Sequence, residues 1–108
     1  MDDASGAPIR ALLFDDDSLV RLDAFVVALG ENIDAIQDSE HGGHLDETAK
    51  RASDLARDAR SLGLPQLADS ADLVVACCQG DDGMRAHAAI VELTDVVRRV
   101  RLGHRPPL

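Results

Sequence analysis

Aromatic residues are almost missing from this sequence: it has no Trp and no Tyr, and Phe14 and Phe25 are its only rings besides histidine. That excludes a stacking platform for RNA or single-stranded DNA, which lays bases on aromatic side chains. It also leaves the core to Leu, Val, Ile and Ala, and Ala and Leu favour helices over strands. Cysteine is scarce as well, with only Cys77 and Cys78. Neighbours on a helix point about 100° apart, so these two are poorly placed for a disulfide. One pair with no second pair elsewhere does not make a zinc site. Long apolar runs are absent: none exceeds six residues, as in Leu73–Cys78, against the ~20 that span a bilayer. Positive charge is short too. Eleven Lys and Arg face twenty Asp and Glu, a net charge of −9, and the pI is near 4.6. A general DNA binder needs the opposite sign to neutralise phosphates. The opening Met1-Asp2-Asp3 is acidic where a secretory signal is basic. These features predict a cytoplasmic protein in a reducing compartment, with no transmembrane segment and no nucleic-acid partner.

The chain does have regular apolar spacing and a length of 108 residues, enough for one domain with one modest core. Residues 1–7 read as a flexible lead-in, and Pro8 as the start of a short helix carrying Ile9, Leu12 and Leu13. Asp17 or Ser18 is the expected N-cap of the next helix. From there Leu19, Leu22, Val26, Leu29, Ile33 and Ile36 step by three and four, a heptad-like seam that Phe25 widens. His41-Gly42-Gly43 ends this element. A helix from about His44 to Leu62 follows, with an inner face of Leu45, Ala49, Ala52, Leu55, Ala59 and Leu62. Those small residues would let neighbouring helices approach closely. Gly63 reads as a C-cap and Leu64-Pro65 as the next start. Leu67, Ala71, Val74 and Cys78 share one face of that helix, beside Ala68 and Val75. Gln79-Gly80-Asp81-Asp82-Gly83 forms a turn. The last helix carries Ala86, Ile90, Leu93, Val97 and Val100 inward, and residues 104–108 form a tail. No segment alternates as a strand does. The fold class expected is all-α, an up-down antiparallel four-helix bundle over 8–103 with a short N-terminal helix.

The spacing of these landmarks resembles the histidine-phosphotransfer (HPt) family of bacterial two-component phosphorelays, over roughly residues 18–102. In that family a mid-helix motif H-x-x-K-G-[SA]-A precedes a Leu-Gly, a new helix and a Gly-Asp turn. This chain has Ser61-Leu62-Gly63-Leu64-Pro65-Gln66-Leu67-Ala68 at the Leu-Gly and helix start, and Gln79-Gly80-Asp81 at the turn. Counting back from Leu62-Gly63, the resemblance puts Ser53 at the phosphoacceptor position, Ala56 at the Lys and Arg57 at the Gly. It keeps the flanking Ala52, Leu55 and Ala59.

That substitution has a chemical consequence. A phosphorelay needs a nucleophile that is neutral and basic near pH 7, which imidazole supplies. A serine hydroxyl is a poor nucleophile without an adjacent base, and its phosphate ester is too stable to pass on. Nothing at helical spacing from Ser53 is a base. The chain is therefore expected to carry no phosphate at this position, to be no enzyme and to need no cofactor or metal.

Charge is unevenly spread. Residues 50–60 hold Lys50, Arg51, Arg57 and Arg60 against Asp54 and Asp58, a net +2, leaving −11 for the rest. A basic strip on this helix would steer an acidic receiver domain to it, or form a solvated face with pairs such as Lys50–Asp54 and Asp54–Arg57. Lys50, Asp54, Ala56, Arg57 and Arg60 are the expected partner-docking residues around Ser53. Arg98, Arg99, Arg101 and Arg105 form a second basic cluster, which suits a helix C-terminus. His41 and His44 flank a glycine turn, His87 is expected on a solvated flank, and His104 belongs to the tail. None of them forms an H-x-x-x-H or H-x-x-E-H spacing, and no phosphate-binding glycine motif is present.

The function expected from these readings is a degenerate HPt-like signalling protein, binding a receiver domain or a histidine kinase as regulator or scaffold. The alternatives are a helical assembly module forming a homodimer, and a true phosphotransfer protein using another histidine.

Overall fold

The computed structural model describes residues 7–12, 15–80 and 82–104. Four helices account for most of them: α1 (Asp16–His41), α2 (Leu45–Ser61), α3 (Pro65–Gln79) and α4 (Gly83–Gly103), with no strand among the described residues. Every regular element among the described residues is a helix.

The helix boundaries follow from local chemistry. Asp15, not Asp17 or Ser18, caps α1: its carboxylate accepts the Ser18 backbone N–H at 2.8 Å. Asp16 and Asp17 then fall in the first turn, where negative charge meets the positive end of the macrodipole. Hydrogen bonding from Ser18, to which the Arg21 charge adds, holds the Asp15 carboxyl below its ordinary pKa. Asp82 caps α4 in the same way, accepting from the Arg85 N–H at 3.1 Å. Pro65 occupies the first turn of α3, where its missing N–H costs nothing. Gly43 and Gly63 have φ of 79° and 76°, left-handed values that a residue with a Cβ adopts only at a cost.

The buried seam of α1 runs Leu22, Val26, Leu29, Ile33 and Ile36. Leu19, expected to open it, is 43% exposed. Ala52, Leu55 and Ala59 of α2 and its C-cap Leu62 are buried, and Leu45 and Ala49 pack against the core from its edge. Ala52, Ala56 and Ala59 of α2 and Ala68 and Ala71 of α3 are all buried. Small residues on both helices remove the spacing that long side chains impose, and α2–α3 is the most extensive helix pairing. The other main contacts run α3–α4, α1–α2 and α1–α4, so each helix packs chiefly against two others.

The short N-terminal helix expected from Pro8 is not present in residues 7–12, which carry no helix. Their backbone donors are used elsewhere: the Ile9 N–H donates to Arg99 O at 3.0 Å and the Leu12 N–H to Gly63 O at 2.8 Å. These tertiary carbonyls, not i−4 partners, satisfy the two donors. The segment is instead a strap from the end of α4 to the end of α2. Ala7, expected in the flexible lead-in, is tied down, its carbonyl accepting from Arg99 Nε at 2.8 Å. Residues 1–6, Leu13, Phe14, Asp81 and residues 105–108 lie outside the described residues.

Two glycines admit the strap. A Cβ on Gly63 would stand 2.9 Å from Leu12 N, and one on Gly103 would collide with the Ile9 carbonyl. At Gly103 the need is room for a crossing backbone, not a left-handed turn.

Candidate functional site

The outer face of α2 carries the residues that the sequence singled out. Lys50, Ser53, Asp54, Arg57 and Arg60 are all exposed, because they fall opposite the Ala52–Leu55–Ala59 stripe at helical spacing. Ala56 is different. It is only 2% exposed, packed in the core beside Leu55, so it offers no surface to a partner. The alanine-rich face of α2 is wide enough to take in position 56 as well as 52, 55 and 59.

The basic strip is largely answered by acids. Arg51 pairs with Glu47 at 2.9 Å along α2. Arg57 pairs with Asp54 at 3.2 Å and with Asp58 at 3.5 Å. Arg60 reaches α3 and meets Asp72 at 2.9 Å and Asp69 at 3.2 Å. Hydrogen bonding to Asp72, more than any other influence, raises the Arg60 pKa further. The anticipated Lys50–Asp54 pair does not form, since Asp54 turns to Arg57. Lys50 has no ion pair among the described residues and is the one cation of the strip left to a partner. Exposed pairs of this kind stabilise the fold little. Their effect here is to turn a +2 strip into an alternating, nearly balanced surface.

Ser53 sits in the middle of this surface, in α2, with Ala49, Lys50, Ala56 and Arg57 at the one-turn positions. None of these is a general base. Two concavities lie along the same helix: a groove of about 590 Å³ against Asp46, Glu47, Lys50, Arg51 and Asp54, and a smaller one of about 110 Å³ by Asn32, Arg51, Asp54, Leu55 and Asp58. Both mix acids and bases, and Ser53 lines neither.

The histidines do not gather at Ser53. His41 and His44 are exposed at the α1–α2 turn. His87 Nδ1 lies 3.2 Å from Glu40 Oε1, and His104 Nε2 lies 3.2 Å from Asp23 Oδ1. Each of these pairs joins α1 to α4 or to the residue that follows it, one near each end of the seam. His87 is thus exposed, as expected, but tied across the helix pair. Among the described residues no three His, Cys, Asp or Glu side chains converge as a metal ion needs. Cys77 and Cys78 are both free thiols, and burial raises the Cys78 pKa above its ordinary value.

Of the C-terminal cluster, Arg98 pairs with Asp95 at 2.9 Å and Arg99 holds the strap. Arg101 lies in the last turn of α4, and Arg105 falls outside the described residues.

A buried polar pair escaped the sequence reading. Ser39 of α1 and Thr48 of α2 are both buried, with their hydroxyl oxygens 2.7 Å apart. The signal was present in the periodicity: Ser39 follows Ile36 by three and Thr48 precedes Ala52 by four, so both extend the apolar stripes.

Against protein-family models, curated proteins and solved structures, the chain matches none. Among the described residues no helix is long and apolar enough to cross a membrane.

Proposed function

We propose that this chain is an HPt-like signalling protein that does not relay phosphate. It binds a receiver domain or a histidine kinase through the outer face of α2, as a regulator or scaffold. The observation that carries the reading is the position of Ser53. It is exposed in the middle of a helix whose inner face is a tight alanine stripe, with exposed Lys50, Asp54, Arg57 and Arg60 around it. A helix face that is rigidly packed from behind and charged in front suits rigid docking. The short connections and the order of helix contacts support an up-down antiparallel bundle.

Serine in place of imidazole keeps the surface and removes the chemistry. The hydroxyl has no neighbouring base to take its proton. The domain therefore occupies a partner without taking phosphate from it, and competes with a phosphorylatable domain for the same face.

The test is a phosphotransfer assay from a phosphorylated receiver domain, run beside a binding measurement. The reading expects binding and no label. Acid-labile, base-stable label on the chain overturns the claim that it does not relay.

A second reading rests on a separate observation. Val20 and Val27 on α1 are 71% and 77% exposed, and a seven-residue separation puts them on one face. That face favours a helical assembly module, a homodimer in which α1 is covered. Molar mass in solution separates the readings, since only the second requires a dimer.

A further inference from the structure

The seam between α1 and α4 does not close completely. At Gly30 α1 offers no side chain, and the Arg101 guanidinium reaches across from α4 to lie over it, 3.7 Å from where a Cβ would stand. Beside this notch is a groove of about 410 Å³, within the ~300–1,000 Å³ range of small-molecule sites. Ile33 of α1 and Val97 of α4, both buried, form its apolar base, with Leu102, Thr94, Arg98 and Arg101 around them. The α4 stretch from Thr94 to Leu102 rises about 12 Å, so the groove is elongated.

Its polar groups are not equally available. The Thr94 hydroxyl donates to Ile90 O at 2.8 Å and accepts from Gln37 Nε2 at 3.0 Å. Arg98 is held by Asp95. The Arg101 side chain makes no hydrogen bond or ion pair among the described residues, although the chain as a whole carries −9. The groove therefore presents an apolar track and one guanidinium whose charge no carboxylate answers. No acid lines it.

We propose that this groove binds a linear aliphatic carboxylate, with the carboxylate on Arg101 and the chain over Ile33 and Val97. One unanswered charge beside an apolar track matches a ligand with one charge and one tail. A guanidinium recognises a carboxylate through paired N–H donors, and each methylene removed from water adds to affinity. Inorganic phosphate would leave the apolar track bare. A partner helix would need a wider apolar bed than two buried side chains supply. The site is on the opposite seam from the α2 face and stands whether or not α2 binds a signalling protein.

The test is a titration of decanoate into the ¹⁵N-labelled full chain, with decanol and decyltrimethylammonium as controls. Saturable one-to-one binding below the micellar range is expected, with amide shifts at Gly30, Ile33, Val97 and Arg101. Arg101→Gln, at an exposed position, leaves the fold intact by circular dichroism and weakens decanoate roughly fivefold. Decanol binds the parent as weakly as decanoate binds that variant, and the cationic amphiphile binds more weakly still. The proposal is overturned by an absence of saturable binding, by shifts confined to other surfaces, or by equal affinity for decanoate and decanol. It is equally overturned if an acidic amphipathic peptide shifts these amides and decanoate does not.

Discussion

The hydroxyl oxygens of Ser39 and Thr48 meet 2.7 Å apart inside the α1–α2 interface. Each also lies 2.9 Å from a carbonyl of its own helix, Ser39 from Ile36 O and Thr48 from His44 O. Two hydroxyl protons serve three contacts, so one of the three goes without a proton at any moment. The pair fixes the register of α1 on α2 across the Gly42-Gly43 turn.

Removing one partner therefore leaves the other with its local carbonyl. Thr48→Val and Ser39→Ala are each expected to cost about 1 kcal/mol. The double variant should cost less than the sum of the singles, because the second substitution removes a group already deprived of its partner. Urea unfolding of the four proteins in the cycle measures this.

The strap makes Gly103 intolerant of a side chain. Gly103→Ala drives a methyl into the Ile9 carbonyl, and α4 cannot yield without disturbing Val100 beneath it. The expected result is release of residues 7–12, read as faster hydrogen exchange at the Ile9 and Leu12 amides with the four helices retained. Gly63→Ala combines a crowded Leu12 backbone with a positive φ, and should lower stability by roughly 1–2 kcal/mol or more.

Cys77 and Cys78 should separate by reactivity. Cys78 is buried and its thiol pKa is raised by burial, and to a lesser degree by Cys77 and Glu40. Alkylation near neutral pH should therefore modify Cys77 first, with Cys78 following only at the rate of opening. A raised folded-state pKa also links stability to pH. The folded thiol keeps its proton where the unfolded one has lost it. Its contribution is fully present below the ordinary thiol value of about 8.5 and is lost as pH rises through the folded value. Cys78→Ala should flatten the decline of stability above that pH, as followed by thermal unfolding from pH 7 to 10.

Ala56 marks where the family motif and this core disagree. Placing the motif's Lys there would bury an ammonium group in the core. Ala56→Lys is expected to cost about 3 kcal/mol or more, whereas Ser53→His, on the exposed face, should change stability by less than about 0.5 kcal/mol. Thermal melts of the two variants distinguish the positions directly.

Lys50 is the cation of the α2 strip that a partner can use without breaking an internal pair. Lys50→Glu should slow association with an acidic receiver domain and weaken its salt dependence. Arg57→Gln should have a smaller effect on the rate, since Arg57 already faces Asp54 and Asp58. Stopped-flow association at two ionic strengths provides the comparison.

The four helices were legible because their apolar positions recur at helical spacing and their ends carry Gly and Pro. Leu22 to Ile36, Ala52 to Leu62, Leu67 to Cys78 and Ala86 to Val100 are buried as that spacing required. The N-terminal segment was misread because Pro8, Ile9 and Leu12 satisfy a helix pattern locally. What overrides it is nonlocal, the carbonyls of Arg99 and Gly63, each far along the chain from the donor it meets. On α2 the outward residues were legible, but the pairing was not. Arg60 finds Asp69 and Asp72 on another helix, which no spacing within α2 reveals. Ala56 was misplaced because a motif's register was carried onto a helix whose inner face is wider than the motif implies.

As proposed, α2 binds a signalling partner and Ser53 keeps the chain from taking phosphate. The most direct measurement presents the full chain to purified phosphorylated receiver domains and histidine kinases, reading binding and label transfer in one experiment. Complex formation that Lys50→Glu weakens is expected, with no phosphate on the chain. Acid-labile label on any histidine, or no binding to any of these partners, would contradict it.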